Sequence, residues 1–171
     1  MMVILKQTVM YLETEDRLQL LSQCNDESVI ALWLTRRLAD RMVQAIFHGL
    51  DAAVPGSRAE GFWREGAVQE ATAAADEAGL HHPVPADNPA PQHLVLSIDI
   101  SPLPDGQQLI FHAAGCDASF ALGELPLLRW LGILQRLYLQ AGWGTADIWP
   151  TWFEPEISGR DLHVPEGTVL H

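Results

Sequence analysis

The most constraining feature of this sequence is an apolar helix that follows a short strand, between Ser119 and Gly142. Apolar residues occupy most positions of the predicted helix, Glu124 to Ala141. A helix that is apolar on most sides is usually buried on most sides. A strand at Ser119–Leu122 leads into it, and a similar strand-to-helix unit occurs at Val29–Leu50. The pattern therefore indicates that the chain contains two copies of one unit.

Three strands are predicted before the first helix, because each run is rich in apolar and β-branched residues and ends at a turn signal. They span Val3–Leu12, Arg17–Cys24 and Ser28–Leu34. Thr35 is predicted to cap the helix that follows, since its hydroxyl can accept a hydrogen bond from a free backbone N–H. We expect this helix to begin at Arg36 and to end near Leu50, with Gly49 closing it.

The second half repeats this order. Residues 93–100 alternate between apolar and polar, which is typical of a half-buried strand. One predicted face carries Leu94, Leu96, Ile98 and Ile100. A hairpin turn at residues 104–106 and a returning strand, Gln107–Ala113, lead into the strand and helix described first.

Corresponding elements of the two halves are separated by roughly 90 residues, a period of the kind that repeats produce. The predicted fold class is α+β, with two pseudo-repeated β-β-β-α units, a mainly antiparallel sheet and helices on one side. Residues 1–54 form the first half and residues 93–142 the second. Residues 55–92 supply a bridging helix and a proline-rich linker, and residues 143–171 form an irregular aromatic tail.

Charge and composition exclude several classes of function. The formal net charge of −12 repels phosphate backbones and anionic membranes, so neither nucleic acid nor membrane is an expected partner. The sequence shows no secretory signal and no apolar run long enough for a membrane span. Two cysteines are too few for a disulfide framework. These features predict a cytoplasmic protein.

The aromatic tail supplies the first candidate binding residues. It contains Trp143, Trp149, Trp152 and Phe153 between glycines and prolines. The tail either folds back and packs on the core, or lines a binding surface, since tryptophan is enriched in interface hot spots. Stacking on nucleic-acid bases is a third alternative, which the acidic net charge opposes.

Arg36 and Arg37 are the other candidate binding residues. They lie at the start of the first predicted helix, where an anion or an acidic peptide could bind. The alternative is a solvated helix face, with Asp40 nearby to neutralise it.

No metal or cofactor is predicted. His81, His82 and His93 are the best candidates for zinc ligands, but they lack the spacing of a known zinc motif. Cys24 and Cys116 occupy matching predicted turns beside acidic residues, which raise rather than lower a thiol pKa.

One histidine has a possible catalytic partner. His112 and Asp99 lie on neighbouring predicted strands, and such a pair can serve in acid–base catalysis. The function expected from the whole sequence is nevertheless a non-enzymatic binding or adaptor protein, as a homodimer or with another protein. A single-stranded nucleic-acid binder and a small hydrolase using histidine and carboxylates are the alternatives.

Overall fold

The computed structural model describes residues 1–53 and 90–153. In these residues three strands precede one helix, and three further strands precede a second. The elements are β1 (Met2–Leu12), β2 (Arg17–Cys24), β3 (Val29–Thr35), α1 (Arg36–Ala53), β4 (Gln92–Leu103), β5 (Gly106–Ala113), β6 (Cys116–Gly123) and α2 (Glu124–Gln140). The predicted α+β class, with a mostly antiparallel sheet, is confirmed, whereas the duplication itself stays a prediction. The bridging helix and the proline-rich linker fall outside the described residues.

The six strands close into a barrel in the order β1-β2-β3-β4-β5-β6. Antiparallel hairpin ladders join the strands within each half. Two short parallel seams join the halves, β1 to β6 and β3 to β4. α1 lies against β2, β3 and β4, and α2 lies against β1, β5 and β6, so each helix spans one seam. The sequence did not predict this closure.

One hydrophobic core joins the inward side chains of the strands to the apolar faces of both helices. In β2, Leu18, Leu20 and Ser22 alternate along the strand and are all buried. α2 buries residues on most of its circumference, including Leu127, Leu128, Trp130, Leu131, Leu134 and Tyr138. The prediction of an enclosed second helix is therefore confirmed.

The ends of α1 show one confirmed and one wrong prediction. Thr35 Oγ1 accepts a hydrogen bond from the Leu38 backbone N–H at 3.4 Å, in the predicted capping role. Gly49 does not end the helix, which continues to Ala53. It instead makes room for Gln107, whose Nε2 would lie 2.7 Å from a Cβ at this position. Gln107 Nε2 donates to the Ile46 carbonyl at 3.0 Å, so the glycine admits a side chain that ties α1 to β5.

The predicted face of β4 is wrong at its start. The ladder to β5 shifts register between Val95 and Ser97, which marks a β-bulge. Because a bulge inserts one extra residue, it reverses the alternation of side chains. Val95 therefore points inward at 3% exposure, whereas Leu94 and Leu96 point outward. Beyond the bulge, Ile98 and Ile100 pack on the core.

β1 carries a corresponding irregularity between Ile4 and Lys6. Ile4 is buried and Leu5 is exposed. Each half thus turns one leucine of its first strand outward at a bulge.

Neither helix in residues 1–53 and 90–153 has the length and apolar character that a membrane span needs.

Candidate functional site

Residues 143–153 of the aromatic tail fold back over both helices and form what we call the aromatic seam. The Trp149 ring centroid lies 5.7 Å from that of Phe47 in α1 and 5.5 Å from that of Tyr138 in α2. Phe153 contacts Phe47 at 5.2 Å and stacks on Trp149 at 5.6 Å. Trp152 meets Phe47 edge to face at 5.7 Å. Residues 143–153 therefore pack against α1 and α2, as the first of the predicted alternatives requires.

A buried glutamine of α2 holds the tail at Phe153. Gln135 of α2 donates from Nε2 to the Phe153 carbonyl at 2.8 Å. Its Oε1 and the indole Nε1 of Trp149 are both buried without a hydrogen-bond partner in the described structure. Because an unpaired buried polar atom is costly, apolar contact must supply most of the attachment of the tail. The role of Gln135 could not be predicted, since a polar residue within an apolar helix gives no sign of its partner.

Trp143 joins the tail to the β1–β2 turn. Its indole Nε1 donates to Asp16 Oδ1 at 2.9 Å, and the Tyr11 hydroxyl donates to the same oxygen at 2.9 Å. These two hydrogen bonds lower the pKa of Asp16, because they stabilise its carboxylate. The Arg36 guanidinium lies over the Trp143 ring, 5.8 Å from its centroid. The β1–β2 turn, the start of α1 and the end of α2 therefore meet at this tryptophan.

A second carboxylate connects the two helices directly. The Tyr138 hydroxyl donates to Asp40 Oδ1 at 2.9 Å, and Arg36 Nε lies 3.8 Å from Asp40 Oδ2. Burial raises the pKa of Tyr138, and the nearby Asp40 charge raises it further. Tyr138 is therefore a neutral hydrogen-bond donor that holds α2 to α1.

The predicted binding residues are thus divided between core and surface. Trp143, Trp149 and Phe153 are buried and Trp152 is half-buried, while Arg36 and Arg37 are exposed. Burial assigns the three enclosed rings a role in holding the helices together. Their role in binding, and that of the two arginines, stays a prediction.

On the outer surface, His112 of β5 lies between two carboxylates, an arrangement we call the histidine clasp. Its Nε2 is 3.0 Å from Asp99 Oδ2 on β4, and its Nδ1 is 3.1 Å from Asp117 Oδ1 on β6. The first of these contacts was expected from the sequence. The second was missed because Asp117 was assigned to a turn, whereas it belongs to β6 and pairs with His112 across the ladder.

The clasp favours a protonated imidazole. Hydrogen bonds to Asp99 and then Asp117 raise the pKa of His112. Only the imidazolium form can donate from both ring nitrogens. With both nitrogens engaged, neither is free to take a proton from a water molecule or a substrate.

The other histidine candidates do not converge on a site in the described structure. His93 Nδ1 lies 3.0 Å from the Ala114 carbonyl oxygen, and His81 and His82 fall outside the described residues. Among residues 1–53 and 90–153, no three histidine, cysteine or acidic side chains are arranged to hold a metal ion.

Two apolar surfaces lie on the outside of the barrel. The β1 face presents Val3 at 40% exposure and Leu5 at 68%. The β4 face presents Leu94 at 39% and Leu96 at 66%. Neither face was predicted, and the strict alternation along β4 contains no signal of a bulge.

No known family model matches the sequence, and no curated protein or solved structure is significantly similar to it.

Proposed function

We propose that this chain is a non-enzymatic binding or adaptor protein that contacts another protein through the outside of its barrel. The observation that carries this proposal is the exposure of Leu5 and Leu96 at the two bulges. Contiguous exposed apolar side chains commonly mark interaction surfaces. Val3 and Leu94 extend each leucine into a small apolar face along its strand.

The bulges support this proposal because they change the direction in which the leucine side chains point. Without the extra residue, alternation would direct Leu96 and Ile98 toward the same side of β4. The bulge separates them, so that Ile98 packs on the core while Leu96 faces outward. Bulges commonly re-aim a side chain in this way next to functional sites.

A cytoplasmic location belongs to the same proposal. The chain has two cysteines, too few for the disulfide framework that small secreted domains use. Burial raises the pKa of both thiols, which favours unreactive structural cysteines.

Duplication of one β-β-β-α unit is the origin we propose for the two faces. Support comes from the element order and from the bulges, which fall near the start of the first strand in each half. Each bulge sets a buried aliphatic residue, Ile4 or Val95, before an exposed leucine.

The two alternative functions receive less support. The histidine clasp provides the carboxylate contact that a hydrolase needs, but it occupies both ring nitrogens of His112. A single-stranded nucleic-acid binder would need a basic surface. The chain has 10 lysines and arginines against 22 acidic residues.

Site-specific photocrosslinking tests the proposed function. A photoreactive phenylalanine analogue replaces Leu5 or Leu96 in the full chain, and the control replaces Leu139, a leucine of α2 that is 48% exposed. We expect crosslinks to protein from positions 5 and 96 inside cells, and none from position 139. If positions 5 and 96 give no crosslink to any protein, the proposed function is wrong.

A further inference from the structure

The β1 and β4 faces differ in charge although both are apolar. Lys6, the only lysine of the chain, follows Leu5 at the bulge of β1. On β4, Asp99 lies three residues beyond Leu96, and its carboxylate is 74% exposed. Asp117, the other acid of the histidine clasp, lies on β6 and is 53% exposed. The clasp spans β4, β5 and β6 and carries a net negative charge whether His112 is protonated or neutral. Its Asp99 end lies at the β4 face, so Lys6 at the β1 face and Asp99 at the β4 face are complementary.

Their positions on the barrel determine how they could be used. β1 and β4 are three strands apart in a closed ring of six, so the two faces lie on opposite sides of the barrel. A surface cannot meet its complement within one molecule when the two point in opposite directions. The complement of each face is therefore available only on another molecule.

We infer that the β1 face of one copy docks on the β4 face of a second copy, so that the protein associates head to tail. This inference rests on the proposed function and names its partner. Leu5 and Leu96 would exclude water at the centre of the contact, and Lys6 would approach the carboxylate of Asp99. Such a heterologous contact leaves one face free at each end, so it continues into a chain of molecules or closes into a ring.

Charge also disfavours the symmetric alternatives. A twofold contact between two β1 faces brings one Lys6 near the other, and a contact between two β4 faces brings two acidic clasps together. Like charges placed across an interface are unfavourable and select against the wrong pairing. The mixed pairing avoids both repulsions.

Complementation between two variants tests the inference on the full chain. Leu5→Ser removes the centre of the β1 face, and Leu96→Ser removes the centre of the β4 face. We expect sedimentation velocity to show that the apparent mass of the wild-type protein rises with its concentration. Concentrations up to about 1 mM make even a contact with a millimolar dissociation constant visible. Each variant alone should stay a monomer. Their equimolar mixture should form a 1:1 dimer that does not grow, because it retains one intact face of each kind.

The controls and contrary outcomes are distinct. Leu139→Ser, on the exposed side of α2, should associate like the wild type, and circular dichroism should show that all three variants keep the fold. Lys6→Glu should weaken association, and the loss should shrink as salt rises. Self-association that survives in only one of the two leucine variants would indicate a symmetric dimer and overturn the inference. A wild-type protein that stays monomeric also overturns it, and crosslinks from positions 5 and 96 to a different protein would then leave the proposed function standing.

Discussion

His112 ties together three neighbouring strands from the outside of the barrel, which gives it a pH-dependent role in stability. Its pKa lies above the ordinary value of 6.5 in the folded state because Asp99 and Asp117 accept from its ring. The stabilisation is therefore complete below pH 6.5 and is lost as the pH rises through the higher folded pKa. We expect His112→Gln to be less stable than the wild type at pH 6 and equally stable at alkaline pH, as measured by urea denaturation.

Each carboxylate of the clasp can be tested separately by NMR titration of the His112 ring protons. Asp99→Asn and Asp117→Asn should each lower the pKa of His112. Ser97, which pairs with His112 across the β4–β5 ladder, supplies an uncharged control. Ser97→Ala should leave the titration of His112 unchanged. If neither aspartate substitution changes the pKa of His112, the histidine clasp is wrong.

The same histidine shows how far a sequence can predict a polar cluster. The contact of His112 with Asp99 could be predicted, because both residues lie in clear strands that a tight turn connects. The contact with Asp117 could not be predicted without the register of β6, since that strand begins three residues earlier than its apolar residues indicate. Because Asp117 contacts the second ring nitrogen of His112, the candidate catalytic pair is part of the histidine clasp.

Among the structural elements, the aromatic tail depends most on one ring. Trp149 is 5% exposed and contacts rings from α1, α2 and the tail itself. We expect Trp149→Ala to lower the free energy of unfolding by about 3–5 kcal/mol, as measured by chemical denaturation of the full chain.

Trp149→Phe is the matched comparison for this prediction. It keeps an aromatic ring in the aromatic seam. It removes an indole N–H that has no hydrogen-bond partner in the described structure. Removing an unpaired buried donor breaks no hydrogen bond, so the loss of stability should be clearly smaller than for alanine. An equal loss of unfolding free energy in the two variants would show that the aromatic seam does not depend on ring packing.

Element boundaries were predicted better than the directions of their side chains. β2 has the predicted limits, β1 begins one residue earlier than predicted, and β3 is shifted by one residue at both ends. Along β4, however, a single inserted residue reversed the predicted faces of Leu94 and Leu96. Hydrophobic alternation reports where a strand lies, but a bulge depends on the partner strand, which the local sequence does not contain.

At the scale of the whole molecule, charge makes one prediction about partners. The net charge of −12 should keep single-stranded oligonucleotides from binding even as tightly as the roughly 10⁻⁴ to 10⁻⁶ M of non-specific binders. Fluorescence anisotropy at low salt is the most permissive measurement. Micromolar affinity that weakens as salt is added would contradict the prediction and favour the nucleic-acid alternative.

Closure of the barrel is the feature of the whole fold that could not be predicted. Hairpins follow from short turns such as residues 104–106, because adjacent strands in sequence usually pair. The parallel seams join residues far apart in sequence, such as Met2 with Ala118, and no local pattern encodes that pairing.

Those seams also set the order in which the barrel can form. Each hairpin ladder closes a short loop, whereas the β1–β6 seam must bring the start of the chain to a strand that comes late in the sequence. Contacts that close long loops are slow to form, because the entropy of closure is lost before the contact stabilises anything. We therefore expect two three-stranded sheets to appear early in refolding, followed by their joining at the seams. In pulsed hydrogen exchange, the backbone amides of the hairpin ladders should then gain protection before the amide of Ala31, which donates to the Pro91 carbonyl where β3 meets β4.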